Sequence, residues 1–192
     1  MIGANTTVGF DSARLRMRTQ RMDDAEALHA AYQDEDLMRY WSSAPHATLG
    51  ETRAYLTPHA DDGDWRGWSI TLKGDDRAIG TVAAVTRRSG VAEIGYLLVR
   101  AYWGHGYARE AVAALIDTLV AEGHRRIYGD VDPDNAASIH LMESLGFQRE
   151  GLLRGEWETH IGVRDSLIFG LLRDEWVNRP PARAPGSSAT RR

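Results

Sequence analysis

The apolar positions of this chain change period along its length, and the changes mark its elements. From residue 13 to 18, Leu15 and Met17 alternate with Arg14, Arg16 and Arg18, the two-residue period of a half-buried strand. Thr19 and the acidic pair Asp23-Asp24 precede Ala25, Leu28, Ala31 and Tyr32, a helical stripe that ends near Asp34. Residues 37–45 are aromatic and follow neither period. A second helix is expected over residues 48–59, where Thr48 and Glu51 have the spacing of a capping box. After a turn at residues 61–65, strands are expected over residues 67–72, 77–87 and 91–99. The connections Lys73-Gly74-Asp75-Asp76 and Arg88-Ser89-Gly90 are short, which makes these three an antiparallel meander. Gly95 weakens the third strand unless a bulge or a closely approaching ligand requires it.

The pattern turns over at Tyr102-Trp103-Gly104-His105-Gly106-Tyr107-Ala108-Arg109-Glu110-Ala111, which leads from that strand into a long helix. The helix carries Ala111, Val112, Leu115, Ile116, Leu119 and Val120 on one face and stops at Gly123. A short strand over residues 127–131 follows, then the turn Asp132-Pro133-Asp134-Asn135 and a helix over residues 136–145 closed by Gly146. Strand, helix, strand in that order calls for a right-handed crossover and a parallel pair. Closing strands are expected over residues 147–152 and 163–172. Residues 1–12 are polar and expected to be loosely ordered, and residues 179–192 have the composition of a disordered tail. One α/β domain over residues 13–178 remains, long enough to bury a sizeable core.

Composition narrows the chemistry. Without cysteine there is no disulfide framework, no cysteinyl nucleophile and no thiolate metal site. The net charge of −4 argues against a generic nucleic-acid binder, because backbone affinity needs clustered Lys and Arg. No leader pattern opens the sequence and no apolar run approaches the ~20 residues of a membrane span, so a soluble, cytoplasmic protein is expected. The glycines at the strand-to-helix junction bring bare N–H groups to a helix N-terminus, a setting that favours an anion. A dinucleotide fingerprint would need glycine at Arg109, and a P-loop would need Gly-Lys-Ser/Thr; neither is present. His105 lies inside the turn and His140 has no second ligand at metal spacing, so no metal site is expected.

The stretch from Tyr102 to Ala111, followed by Asn135, Ser138, Gly146 and Phe147, resembles the Gcn5-related N-acetyltransferase superfamily. Within it the likeness points to the ribosomal-protein N-acetyltransferase branch, and it spans about residues 14–176. Two positions depart from the family pattern: Trp103 stands at a Gln/Arg position, and Met142 stands where many relatives place a tyrosine general acid. The resemblance implies a mixed, mostly antiparallel sheet flanked by helices and splayed at the acetyl-coenzyme A strand. It implies that the backbone of Tyr96, Leu97 and Leu98 pairs with the pantetheine amides as an added strand. Gly104, His105, Gly106, Tyr107, Ala108 and Arg109 would wrap the pyrophosphate, and Asn135 would bond the pantetheine arm or act as a plain N-cap.

The implied reaction is direct acetyl transfer to a primary amine. Ser138, one turn after Asn135, is the candidate for protonating or stabilising the leaving thiolate, and Glu93 and Asp130 are candidate bases. Each carboxylate has a structural reading of equal standing. The branch likeness favours a protein N-terminal amine as acceptor, with a small-molecule amine such as an antibiotic, polyamine or amino acid as the alternative. A non-catalytic acyl-coenzyme A sensor is the reading from a different class, supported by Met142. The acceptor groove is expected between residues 38–43 and a loop at residues 156–160. The sequence leaves oligomeric state open, a homodimer being one outcome.

Overall fold

The computed structural model describes residues 8–57 and 65–179. Strands β1 (Phe10–Asp11), β2 (Leu15–Thr19), β3 (Arg66–Leu72), β4 (Ala78–Arg88) and β5 (Val91–Leu98) are joined by β6 (Arg126–Val131), β7 (Gln148–Thr159) and β8 (Gly162–Leu172). They form one eight-stranded sheet in the order β1-β2-β3-β4-β5-β6-β8-β7. Every neighbouring pair is antiparallel except β5 with β6, which is parallel. The expected mixed fold, antiparallel until the crossover after β5, is the fold observed.

Helices cover both faces. On one lie α1 (Ala25–Tyr32), α2 (Glu35–Met38) and α3 (Leu49–Leu56), whose Ala25, Leu28, Ala31, Met38 and Leu56 pack with Ala78, Leu97 and Val99 of the sheet. On the other lie α4 (Tyr107–Ala121), α5 (Ala136–Ser144) and α6 (Arg173–Val177). The α4 stripe Ala111, Val112, Leu115, Ile116 and Leu119 is fully buried against residues that include Trp68, Ile70, Val82 and Ile94. Burying each of its larger side chains contributes about 1.5–3 kcal/mol, which is why an exposed glycine turn can still start a firm helix.

Four local expectations need correction. Residues 8–12 were expected to be loose, but Phe10 and Asp11 pair with Met17 and Arg16, the Trp68 indole donates to the Val8 carbonyl, and Phe10 meets Trp68 edge-on. The irregular aromatic segment opens on the last two residues of α2, a helix capped by the Asp34 side chain, which accepts from the Leu37 N–H. Strand β7 runs to Thr159, so Glu156–Thr159 is strand and not loop. A last helix, α6, buries Trp176 just before the expected tail. Thr48 caps α3 as the spacing predicts, but Glu51 bonds the Ala47 N–H, one residue short of a true capping box. The last residues of that expected helix, the turn at 61–64, residues 1–7 and the tail from 180 lie outside the described residues.

Candidate active site

Strand β5 pairs with β4 along its whole length, from Val91 to Leu98. Its pairing with β6 stops after three residues, at Glu93 opposite Tyr128, while β6 continues beside β8 as far as Val131. The two strands therefore diverge after Glu93, and the β6-facing edge of Ile94 to Leu98 is left without a neighbouring strand. Backbone groups exposed in this way require partners, and an extended ligand supplies them. A groove of about 1140 Å³ runs through the gap. It is lined by Trp103 and Ala108 beside the turn, by Tyr96, Asn135 and Ser138, by the carboxylates Glu93 and Asp130, and by the aromatic residues Tyr32, Trp41, Tyr55 and Trp65.

The junction into α4 is built from two left-handed glycines, Gly104 at φ 78° and Gly106 at φ 76°, the second being the N-cap of the helix. Left-handed backbone costs a residue with a side chain about 1–2 kcal/mol, so both positions call for glycine. A Cβ at Gly104 would meet nothing within 4 Å, so the turn faces open space. Arg14 holds it from below: its guanidinium lies 4.6 Å from the Tyr107 ring centre and donates to the His105 carbonyl at 3.0 Å and to Glu110 at 2.7 Å. Glu110 also accepts from the Arg14 N–H and the Ser12 hydroxyl, which ties the β1–β2 turn to the first turn of α4. Burial alone would raise the Glu110 carboxyl, but these donors outweigh it and hold the group below its ordinary value.

The remaining side chains of the turn are locally engaged. His105 Nδ1 donates to the Trp103 carbonyl at 2.8 Å and its ring stacks on Tyr107, while Arg109 donates to the Ser144 carbonyl at the end of α5. The Trp103 indole donates to the Leu98 carbonyl at 2.7 Å, closing the wide end of the gap. Of the residues expected at the cofactor, Tyr96, Leu97, Leu98, Ala108 and Asn135 line the groove, as do Ser138, Glu93 and Asp130. Gly104, His105, Gly106, Tyr107 and Arg109 form the turn beyond its wall.

Asn135 is the N-cap of α5, its Oδ1 accepting from the Ser138 N–H at 3.1 Å. Ser138 is half-buried one turn into the helix. The Tyr96 hydroxyl reaches its carbonyl at 3.5 Å, a long contact, and burial pushes that phenol up to about 12, so it stays protonated at neutral pH. The sequence pointed to Tyr96 only for its backbone; the phenol at the groove was missed. Met142, at the family's tyrosine position, is buried against Gly129 at the inner wall of the groove, and its thioether has no proton to donate.

Glu93, Tyr128 and Asp130 share the face of the sheet covered by α1–α3, as the alternation along β5 and β6 requires. Glu93 Oε2 accepts from Arg87 Nε at 2.6 Å and from the Tyr128 hydroxyl at 2.9 Å. Burial, with the Glu93 charge beside it, holds the Tyr128 phenol above its ordinary value. Asp130 Oδ2 accepts from the Trp157 indole at 2.5 Å and the Ser166 hydroxyl at 3.2 Å. Among the described residues, Glu93 Oε1 and Asp130 Oδ1 make no bond and remain available. The next turn is fixed by Arg164, which grips Asp132 with two nitrogens and also bonds Asp134, holding the Asp132 carboxyl below its ordinary value.

The aromatic end is firmly held. The Thr52 hydroxyl bridges His29 and His46 at 2.8 and 2.9 Å, His46 stacks on Tyr32 at 5.0 Å, and the Trp41 indole donates to the Tyr55 hydroxyl. Burial lowers His46 below its ordinary value, so it stays neutral near pH 7. Of the expected acceptor wall, Tyr40, Trp41 and Ser42 line the groove, but Met38 is core. From the far segment, Trp157 and Thr159 line it, as alternation along a strand dictates.

Comparison with known proteins agrees with this geometry. A sequence model of the acetyltransferase (GNAT) domain matches residues 14–148. The chain is 35% identical over 170 residues to p20 of Bacillus licheniformis, named as an uncharacterized N-acetyltransferase, covering 85% of this chain and 96% of that one. It is 24% identical over 173 residues to the spermidine N(1)-acetyltransferase of Vibrio cholerae, covering 88% and 98%. Among solved structures, an acetyltransferase of the GNAT family from Bacillus anthracis superposes with a TM-score of 0.77 at 25% identity, covering 87% of this chain and 99% of that one. The Vibrio cholerae spermidine N-acetyltransferase in complex with CoA and spermine superposes with a TM-score of 0.72 at 23% identity, covering 85% and 98%. Because the matched region takes in the meander, the glycine turn and the capped helix together, this chain belongs to the Gcn5-related N-acetyltransferase family.

Proposed function

We propose that this chain transfers an acetyl group from acetyl-coenzyme A to a primary amine within a ternary complex, and that the amine is a protein N-terminus, as in the ribosomal-protein branch. The observation that carries this reading is the divergence of β5 from β6 after Glu93, with a groove passing through the gap. The unpaired edge of β5 and the open space in front of Gly104 fit a long, narrow, partly anionic ligand. Acetyl-coenzyme A supplies an activated acetyl group and a thiol leaving group.

The chain supplies the rest. The β6-facing backbone groups of Tyr96 and Leu98 bond the pantetheine amides, Leu97 between them being turned toward Thr81 of β4; the N–H groups from Gly104 to Arg109 hold the pyrophosphate, and Asn135 steadies the arm between them. A β5 backbone N–H polarises the thioester carbonyl. The Ser138 hydroxyl donates a hydrogen bond to the sulfur as the carbon–sulfur bond breaks and so stabilises the leaving thiolate. Glu93 Oε1 and Asp130 Oδ1 are the free carboxylate oxygens facing the amine, and they receive its proton directly or through water. An α-amine near pKa 8 needs about 1 kcal/mol to be neutral at pH 7, against about 5 kcal/mol for a lysine side chain, and so makes the smaller demand on carboxylates already engaged by donors. With no cysteine in the chain, a cysteinyl acyl-enzyme is excluded.

A polyamine acceptor is the second reading, favoured by the likeness to spermidine N(1)-acetyltransferases. Thiol release from acetyl-coenzyme A over N-terminal peptides, spermidine and other small amines tests both. Turnover only with peptides supports the first reading and turnover only with polyamines the second. Binding of acetyl-coenzyme A with no release on any amine would leave the non-catalytic sensor.

A further inference from the structure

We propose that Trp157 is a positioning residue for this reaction: its indole fixes the Asp130 carboxylate so that one oxygen faces the acceptor. The proposal rests on the transferase reading above. It begins in the register of the outer hairpin, where Leu153 lies opposite Ser166 but Trp157 lies opposite Arg164. Strand β7 advances four residues while β8 advances two, so β7 carries a bulge between Leu153 and Trp157. Gly155 makes it possible with φ 62°, and its N–H donates to Asp165 Oδ1 at 2.8 Å. Bulges bend a strand and re-aim its side chains.

Here the re-aimed side chain is an indole that reaches past β8 to Asp130 on β6. The buried Ser166 hydroxyl donates to the same oxygen, Oδ2. Two donors on one oxygen stop the carboxylate from rotating, and the bond-free Oδ1 is thereby held in one place. Trp157 itself stays 44% exposed. An indole kept for packing would be buried, whereas this one spends its single donor on a groove carboxylate and presents its ring to the acceptor half.

The test uses the full chain and three variants, W157F, D130N and the double mutant. W157F keeps an aromatic wall and removes only the N–H donor. Turnover of the accepted amine should fall about tenfold in kcat while the acetyl-coenzyme A Kd holds within twofold, and the double mutant should be no slower than D130N. Independently of activity, the indole N–H resonance missing from W157F should move in D130N. Full kcat in W157F, losses that multiply in the double mutant, or an unmoved resonance would overturn the proposal. Absence of turnover by the unmodified protein on every amine would instead sink the transferase reading, with the resonance still reporting whether the bond exists.

Discussion

Gly95 offers a substitution in which fold and function should respond with opposite signs. Its register with Ala83 is continuous, so the bulge that a strand glycine can signal is absent. Its φ is not in the left-handed region, and a Cβ built on it meets nothing within 4 Å. Gly95→Val should therefore enter the strand without strain. Glycine inside a strand costs about 0.5–1 kcal/mol relative to a residue with a side chain, and valine is a strong strand former. For a chain of this size 1 kcal/mol moves Tm by about 2–4 °C, so the variant should melt about 1–4 °C higher. Residue 95 shares its face with Glu93 and Leu97, the side on which we propose the acceptor binds, and three new carbon atoms would stand in the amine's path. Misplacing an acceptor by about 1 Å costs on the order of a hundredfold, so kcat/KM for the amine should fall ten- to a hundredfold. The pantetheine would run along the strand's edge and not over this face, so the acetyl-coenzyme A Kd should hold within twofold. Thermal melting, thiol release and calorimetric titration read the three quantities. A lower Tm would mean that the glycine serves the fold, and an unchanged kcat/KM would mean that the acceptor does not use this space.

Asn135→Asp retains a good N-cap, whereas Asn135→Ala loses about 1 kcal/mol of capping; if the amide also holds pantetheine, the Asp variant will keep its Tm and bind acetyl-coenzyme A more weakly by titration, while an unchanged Kd would confine Asn135 to capping. Ser138→Ala should lower kcat more than acetyl-coenzyme A affinity, and an unchanged kcat would remove the hydroxyl from the chemical step. Asp24, buried and bonded by Arg18, Ser69 and the Arg21 N–H, should cost about 3–5 kcal/mol as Asp24→Asn, a fall in Tm of roughly 6–20 °C in a melting curve. The Arg164 contact holds Asp132 below its ordinary carboxyl value of 3.8, so near that pH the unfolded chain binds the extra proton. Stability from this pair is thus complete above about pH 5 and lost as pH falls through the folded-state value; urea midpoints should drop below about pH 4, less steeply in Arg164→Gln, and a midpoint that rises on acidification would contradict the assignment.

Period and punctuation carried the elements that form the site. The β3–β5 meander, the glycine entry to α4 and the capped start of α5 each leave a local signature that does not depend on a distant partner. What stayed hidden in the sequence is what a partner decides. Phe10 and Asp11 are too short a strand to show alternation, and they are held by Met17, Trp68 and the Glu110 contacts of the neighbouring turn. Strand β7 is exposed almost throughout, so no apolar rhythm marks residues 153–159; it is a strand because β8 pairs with it. The Trp157–Asp130 bond depends on a bulge, which is visible only as a register mismatch between two strands. Likewise Glu93 and Asp130 were legible as carboxylates near the groove, but which oxygen of each is free follows from donors on β4, β6, β7 and β8.

The site sits where the sheet changes direction, and one topological step accounts for its parts. A parallel pair cannot be joined by a tight turn, so the chain leaves β5, crosses over as α4 and returns as β6. The crossover puts a helix N-terminus, with its unpaired N–H groups, just beyond the end of β5. β6 is meanwhile held by β8 over its full length and follows that partner away from β5 after Glu93. A gap lined by free backbone and capped by an anion-favouring turn is the result, as expected at the switch point of an open α/β sheet. Gly95 and the bulge of β7 belong to the half assigned above to the acceptor and leave that step untouched. On the proposed reading, donor binding is thus built into the connectivity, whereas acceptor choice would rest on a few side chains of the α1–α3 face and the outer hairpin, which is where substitutions should change the amine without disturbing acetyl-coenzyme A.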